Sequence, residues 1–167
     1  MADKIITQEL LHYLFDYKDG NFYWKNLSSK YSNAKIGNRA GISRRQNGYL
    51  YIRIFGKVYL HHRMVFLHQK GYLPKMLDHI DGIRTNNRIE NLRECSFSEN
   101  AFNSKLTYKN TSGYKNVVWS KQRKKWRVQM TVYGKNLSFG FYDDIELAAL
   151  VAEEARDKYH KEFARNK

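Results

Sequence analysis

Residues 47–61 read as a β-hairpin: an Asn-Gly pair, the alternating run YLYIRIF, a Gly56-Lys57 turn and the returning VYLHH. With 167 residues the chain has room for one ordinary domain or two small ones, so no single large core is expected. Around the hairpin other elements can be placed. TQELLHYLF (7–15) predicts a helix with Thr7 at the N-cap and Leu10, Leu11 and Leu14 on one face, and NFYW (21–24) a strand after the Asp19-Gly20 turn. His61 and His62 are expected to end the second hairpin strand, one inward and the other within reach of phosphate. MVFLHQ (64–69) predicts a helix stopped by Gly71, after which Pro74 imposes an extended approach to Met76-Leu77. LTYKNTS (106–112) reads as a polar linker. Beyond it lie three short strands, near 114–119, 125–132 and 136–142, and a helix over 145–163 whose Ala148, Ala149, Ala152 and Ala155 form one slim face.

The charge is unevenly spread. The net charge is +14, yet Asp and Glu are absent from 21–77 and again from 101–142, the second tract carrying KQRKKWR at 121–127. Carboxylates are confined to residues 3–19, the stretch 78–99 and residues 143–162, in and around the first and last helices. Two basic tracts flanking a short acidic island suit a polyanion gripped on both sides of a reactive centre, and nucleic acid is the polyanion expected. The single Cys95 excludes an internal disulfide and a cysteine-ligated zinc, and reads as a small buried residue; a reducing cytoplasm is expected. No apolar run is long enough for a membrane span, and Asp3, Lys4, Gln8 and Glu9 break any signal-peptide pattern. His12, His68 and His160 fall on predicted helices as structural or solvated residues.

The acidic island is DHIDGIRTNNRIENLRECSFSENAFN, residues 78–103. A strand ending at His79, a loop holding Asp81-Gly82 and Asn86-Asn87, a second strand from Asn91-Leu92-Arg93, and a helix opened by Ser96 or Ser98 can gather Asp78, His79 and Asn100 at one point. Phosphodiester hydrolysis needs a hard cation against the phosphate charge, for which oxygen ligands such as Asp78 and Asn100 suit Mg²⁺ or Mn²⁺. It also needs a base that is neutral near pH 7, which His79 offers. Asn91 would hold the imidazole or its loop, Asn103 competes with Asn100 for the ligand place, and Arg93 reaches either the scissile phosphate or an ion pair.

At these residues the sequence resembles the HNH endonucleases, particularly the phage-type homing enzymes with Asn in place of the last His. HHRMVFLHQKGYLP and the hairpin before it resemble the region preceding that site. The resemblance implies a ββα-metal site with Asp78 and Asn100 as metal ligands, His79 as general base and Asn91 as the middle Asn. It implies double-stranded DNA as the substrate, with no obligate protein partner.

In WRVQMTV, Trp126, Val128, Met130 and Val132 alternate with Arg127, Gln129 and Thr131, so an apolar face can pack on the alanine stripe while a polar face turns outward. SGYKNVVW, KKWRVQM, LSFGFYDD and ELAALVAEEARDKYH resemble the plant ethylene-response-factor (APETALA-two type) DNA-binding domain, a three-stranded sheet on one helix that enters the major groove sheet first. Tyr114, Trp126, Gly140 and Tyr142 carry the likeness. It implies that Lys115, Arg127, Gln129, Thr131 and Ser138 face DNA; the basic cluster at 121–127 is expected to put Lys124 and Lys125 on phosphate. The expectation is an α+β chain: an N-terminal hairpin-and-helix region leading into an HNH module (1–105, core about 75–105), the linker 106–112, and a three-stranded antiparallel sheet packed on one C-terminal helix (113–167).

Overall fold

The computed structural model describes residues 5–27, 34–43 and 47–166. Asp3 and Lys4, weighed above against a signal peptide, lie outside them. The chain divides into two compact units, Met1–Glu94 and Cys95–Lys167.

In the first unit, helix α1 (Gln8–Leu14) starts at Thr7, whose Oγ1 accepts the Leu10 N–H at 3.3 Å. The helix stops one residue earlier than its periodicity suggests, because Phe15 turns extended and opens strand β1 (Phe15–Lys18). Strands β1, β2 (Asn21–Trp24) and β3 (Arg39–Ala40) form an antiparallel sheet in that order. Asp19 and Gly20 join the first two with φ of 49° and 80°, the left-handed pair that a two-residue hairpin turn needs. A second sheet holds β4 (Ile42–Ser43), β5 (Leu50–Ile54) and β6 (Lys57–Leu60). The hairpin turn is Phe55-Gly56 rather than Gly56-Lys57: Ile54 pairs with Lys57, and both turn residues have positive φ.

His61 and His62 do not end the strand but open helix α2 (His61–Lys70), and both are buried. The helix ends at Gly71, whose φ of 82° frees its N–H to reach the Leu67 carbonyl at 2.9 Å. Val65 of this helix shares one core with the fully enclosed Leu11, Leu14, Phe15, Phe22, Ile52 and Ile54, Phe15 and Phe22 stacking at 4.8 Å. Strands β7 (Leu77–His79) and β8 (Leu92–Glu94) then pair antiparallel, setting Asp78 opposite Arg93 and His79 opposite Leu92.

The second unit begins with helix α3 (Phe97–Phe102). Ser96 caps it, and the Glu99 side chain answers on the Ser96 N–H at 2.7 Å. Cys95 is half-buried beside this unit's core rather than enclosed in it. Strands β9 (Val117–Ser120), β10 (Lys125–Val132) and β11 (Lys135–Tyr142) form an antiparallel sheet with β10 in the centre. Helix α4 (Ile145–His160) starts from the Asp144 cap and buries Ala148, Ala152 and Ala155. Ala148 and Ala152 pack with Val117 and Val128, and Ala155 with Met130 and Val132. Small side chains let the helix approach the sheet closely, which is what the alanine periodicity predicts. Ala149, the fourth of that stripe, is only half-buried.

Candidate active site

Strand β7 delivers Asp78 and His79 side by side, and strand geometry sends consecutive side chains to opposite faces. Asp78 turns to its cross-strand neighbour: Arg93 donates from Nη2 at 2.9 Å and from Nε at 3.2 Å, both to Oδ2. Both side chains are largely enclosed, so of the two roles open to Arg93 the structure displays the ion pair. His79 turns to the loop between the strands. It is 4% exposed, and its Nε2 donates to Oδ1 of Asn87 at 2.9 Å.

That loop, residues 80–91, is stitched by two side chains. Asn91 donates to Asp81 Oδ1 at 3.0 Å and to the Asn86 carbonyl at 2.8 Å, and its own Oδ1 accepts the Asp81 N–H at 3.0 Å. Asp81 also accepts from the Ile83 N–H and the Asn86 amide. Burial opposes ionisation of Asp81, but the donors from Asn86, Ile83 and Asn91 outweigh it, and its carboxyl is held below its ordinary range. These bonds put Asn91 on the loop rather than on the imidazole.

The imidazole belongs instead to Asn87, which is 2% exposed and whose Nδ2 donates to Nδ1 of His61 at 3.0 Å. His62 meets the His79 ring edge-on at 5.1 Å, and Tyr49 lies 5.2 Å from His62 and 5.9 Å from His79. Arg84 lies over the Tyr49 ring at 5.0 Å and is anchored on the Asn47 carbonyl. Burial, with Arg39 nearby, pushes the His61 pKa down to about 4. Burial and the neighbouring His79, Arg63 and His61 take His62 to about 3. One neutral ring, His62, thus lies against His79, and a second, His61, stands beyond the Asn87 amide.

Asn87, His61 and Asp81 were not singled out from sequence as site residues. The signal available was the Asn86-Asn87 pair, which reads as turn chemistry until α2 is known to carry His61 to it. Asn100 lies on α3 of the second unit and is exposed, and Asn103 is its buried C-terminal cap. Among the described residues no group of three or more His, Cys, Asp and Glu is placed to hold a metal ion. The expected ligand set has a different make-up, one carboxylate and one amide oxygen. Hard oxygen donors of this kind, few in number, are what Mg²⁺ accepts when water and phosphate complete its shell. Asp78 presents its carboxylate to Arg93, which donates twice to Oδ2.

In the second unit the bulge after Val128 pairs Gln129 with Ser138, and Thr131 lies opposite Asn136. Arg127, Gln129, Thr131 and Ser138 thus alternate with the buried Val128, Met130 and Val132 and share the outer face. Phe141 lies on the same face beneath two guanidinium groups, Arg123 at 4.5 Å and Arg127 at 5.8 Å. Lys124 is exposed in the β9–β10 turn, and Lys125 pairs with Asp143 at 2.8 Å. Lys115 is a correction. Its ammonium is enclosed by the carbonyls of Phe102, Ser104 and Arg165, so it closes the core instead of standing on the outer face. Burial, with Arg156 and Arg165 close by, lowers its pKa to about 8.

Among the described residues no helix is long and apolar enough to cross a membrane. The sequence profile of the HNH endonuclease family matches residues 59–102, from the end of β6 through α3. No solved structure matches the chain. Protein 3.8 of Escherichia phage T7 is 38% identical over 113 residues, which is 66% of this chain and 93% of that protein. The chain carries an HNH endonuclease domain and belongs to the same family as that phage protein.

Proposed function

We propose that the protein hydrolyses phosphodiester bonds in double-stranded DNA with a divalent metal, Mg²⁺ or Mn²⁺, in the manner of the phage homing enzymes it resembles. The observation that carries this reading is the placement of His79: buried, neutral-ringed neighbours around it, one nitrogen tied to Asn87, and Asp78 beside it on the same strand. With the proton on Nε2, the basic lone pair is on Nδ1. His79 takes a proton from water as the water oxygen attacks phosphorus; the bond from phosphorus to the leaving sugar oxygen breaks, that oxygen takes a proton from solvent, and His79 returns its own to solvent. Asp78 is the metal ligand this reading assigns to the first unit, and Asn100, with Asn103 as its rival, takes the second ligand place by resemblance. A divalent ion held there would supply positive charge against the phosphate. Arg93 keeps the Asp78 carboxylate oriented.

DNA is bound by the outer face of the second unit's sheet, with Arg127 and Gln129 toward base edges, Thr131 and Ser138 beside them, and Lys124 and Lys125 toward phosphate. Lys115 has no part in that face.

Supercoiled plasmid incubated with Mg²⁺ or Mn²⁺, with and without chelator, tests the proposal. Wild type should nick or linearise it only with metal, and His79→Ala should be slower by roughly 10²- to 10⁴-fold while still binding DNA. Metal-independent cleavage, or full activity in His79→Ala, would refute the mechanism. Binding with no cleavage under any metal would leave a DNA-binding protein in place of an enzyme.

A further inference from the structure

The side chain best placed to control His79 is not among those expected from the sequence. Asn87 sits in the loop at 2% exposure and spends its amide on two imidazoles, one on β7 and one on α2. Its backbone is held from behind. The Tyr17 hydroxyl accepts the Ile89 N–H at 3.1 Å, and the Asp19-Gly20 turn presses so closely that a Cβ on Gly20 would stand 2.5 Å from Arg88 N and 2.6 Å from the Asn87 carbonyl carbon. The N-terminal hairpin therefore fixes where Asn87 can be, and α2 fixes how its amide is turned.

We propose that Asn87 is a positioning residue for the proposed hydrolysis: its buried amide sets the ring orientation and tautomer of His79, and His61 sets the orientation of that amide. This rests on the reading of His79 as general base. A buried amide offers an oxygen that only accepts and an NH₂ that only donates. With the oxygen on His79 Nε2, that nitrogen keeps its proton and the lone pair is directed through Nδ1. With the NH₂ on His61 Nδ1, turning the amide over would oppose donor to donor unless both rings changed tautomer together. His61 is fully enclosed, and its Nε2 has no hydrogen-bond partner. A second partner that fixes a functional imidazole commonly carries 10- to 100-fold in activity, although the substrate never touches it.

The experiment uses the full chain, ¹⁵N-labelled, in Asn87→Ala and Asn87→Asp forms beside wild type. The His79 Nε2–H resonance, identified by its loss in His79→Ala, should be visible in wild type because the proton is buried and hydrogen-bonded. Asn87→Ala should lose it to solvent exchange and lower kcat by about 10- to 100-fold at unchanged KM for plasmid. Asn87→Asp keeps an oxygen toward Nε2, and His61 can move its own proton to Nδ1 to meet the second oxygen. That variant should recover the resonance and most of the rate, which a merely destabilised protein would not do. Persistence of the resonance in folded Asn87→Ala, unchanged kcat in that variant, or failure of Asn87→Asp to restore either signal would overturn the assignment. If His79→Ala itself cleaves at the wild-type rate, the reading of His79 as base is what fails, and the resonance still decides whether Asn87 holds the ring.

Discussion

Acid should unfold this protein partly through His61. The ring is fully enclosed, its Nε2 has no partner to receive an extra proton's charge, and its pKa is about 4 against an ordinary 6.5. Above pH 6.5 the ring is neutral in both folded and unfolded chains and contributes no pH dependence. As pH falls below 6.5 the unfolded chain takes the proton while the folded chain refuses it, so folding loses about 1.4 kcal/mol per pH unit. The loss is complete near pH 4, where the folded ring also protonates, and by then amounts to about 3 kcal/mol. Against a total stability of roughly 5–15 kcal/mol for a small protein that is a sizeable loss, and His62, pushed by burial down to about 3, adds to it in the same direction. The perturbation is His61→Gln, which removes the titration but keeps a polar side chain. Urea melts at pH 7.5, 6, 5 and 4 give the slopes for both proteins. The variant is expected to be less stable at pH 7.5, because the Asn87 contact and the edge-on packing on Phe22 at 5.1 Å are weakened. Its stability should nevertheless fall more slowly with acid, the two curves converging toward pH 4. Parallel curves would show that His61 is not held neutral by its burial, and the packing argument for α2 would fail with it.

The turn behind Asn87 offers a controlled comparison. Gly20→Ala and Gly56→Ala both place an alanine at φ near 80°, but a Cβ at Gly56 meets nothing within 4 Å. Each should lose about 1–2 kcal/mol for the left-handed backbone, while only Gly20→Ala should also slow plasmid cleavage; equal cleavage rates would remove the hairpin from any role in the site. Lys115→Met should lower the thermal midpoint, since three carbonyls lose a shared donor at roughly 1–3 kcal/mol, and should leave the salt dependence of DNA binding unchanged. A shallower salt slope in that variant would return Lys115 to the DNA face. Lys124→Ala should reduce the log–log salt slope of binding by about 0.9 on every duplex, whereas Arg127→Ala should cost roughly 1–3 kcal/mol mainly on a preferred sequence. Identical losses on specific and random duplexes would make the sheet a phosphate clamp rather than a reader.

What the sequence disclosed, and what it withheld, follows the range of the interactions involved. Strands with period-two alternation, such as β5 and β10, and a helix with alanines at helical spacing, such as α4, declare themselves locally because each buried face recurs within a few residues. The short strand that carries Asp78 and His79 was legible for the same reason. His61 and His62 were misplaced because β6 passes into α2 with no intervening loop and no capping side chain at Leu60, so the usual start signal is missing. Lys115 was misread because a half-buried lysine caged by carbonyls from residues 102, 104 and 165 looks, in sequence, like any other lysine in a basic tract. Asn87 was hidden most completely. Its partners are 8 and 26 residues away, and its backbone is pinned by a hairpin some seventy residues upstream. A motif reports which groups meet the substrate, since their spacing is constrained by one local loop. The groups that hold them are drawn from wherever the core supplies a rigid surface, and here α2 and the Asp19-Gly20 turn supply it. A local pattern can therefore nominate His79, but only the packed first unit explains why the imidazole is held one way round.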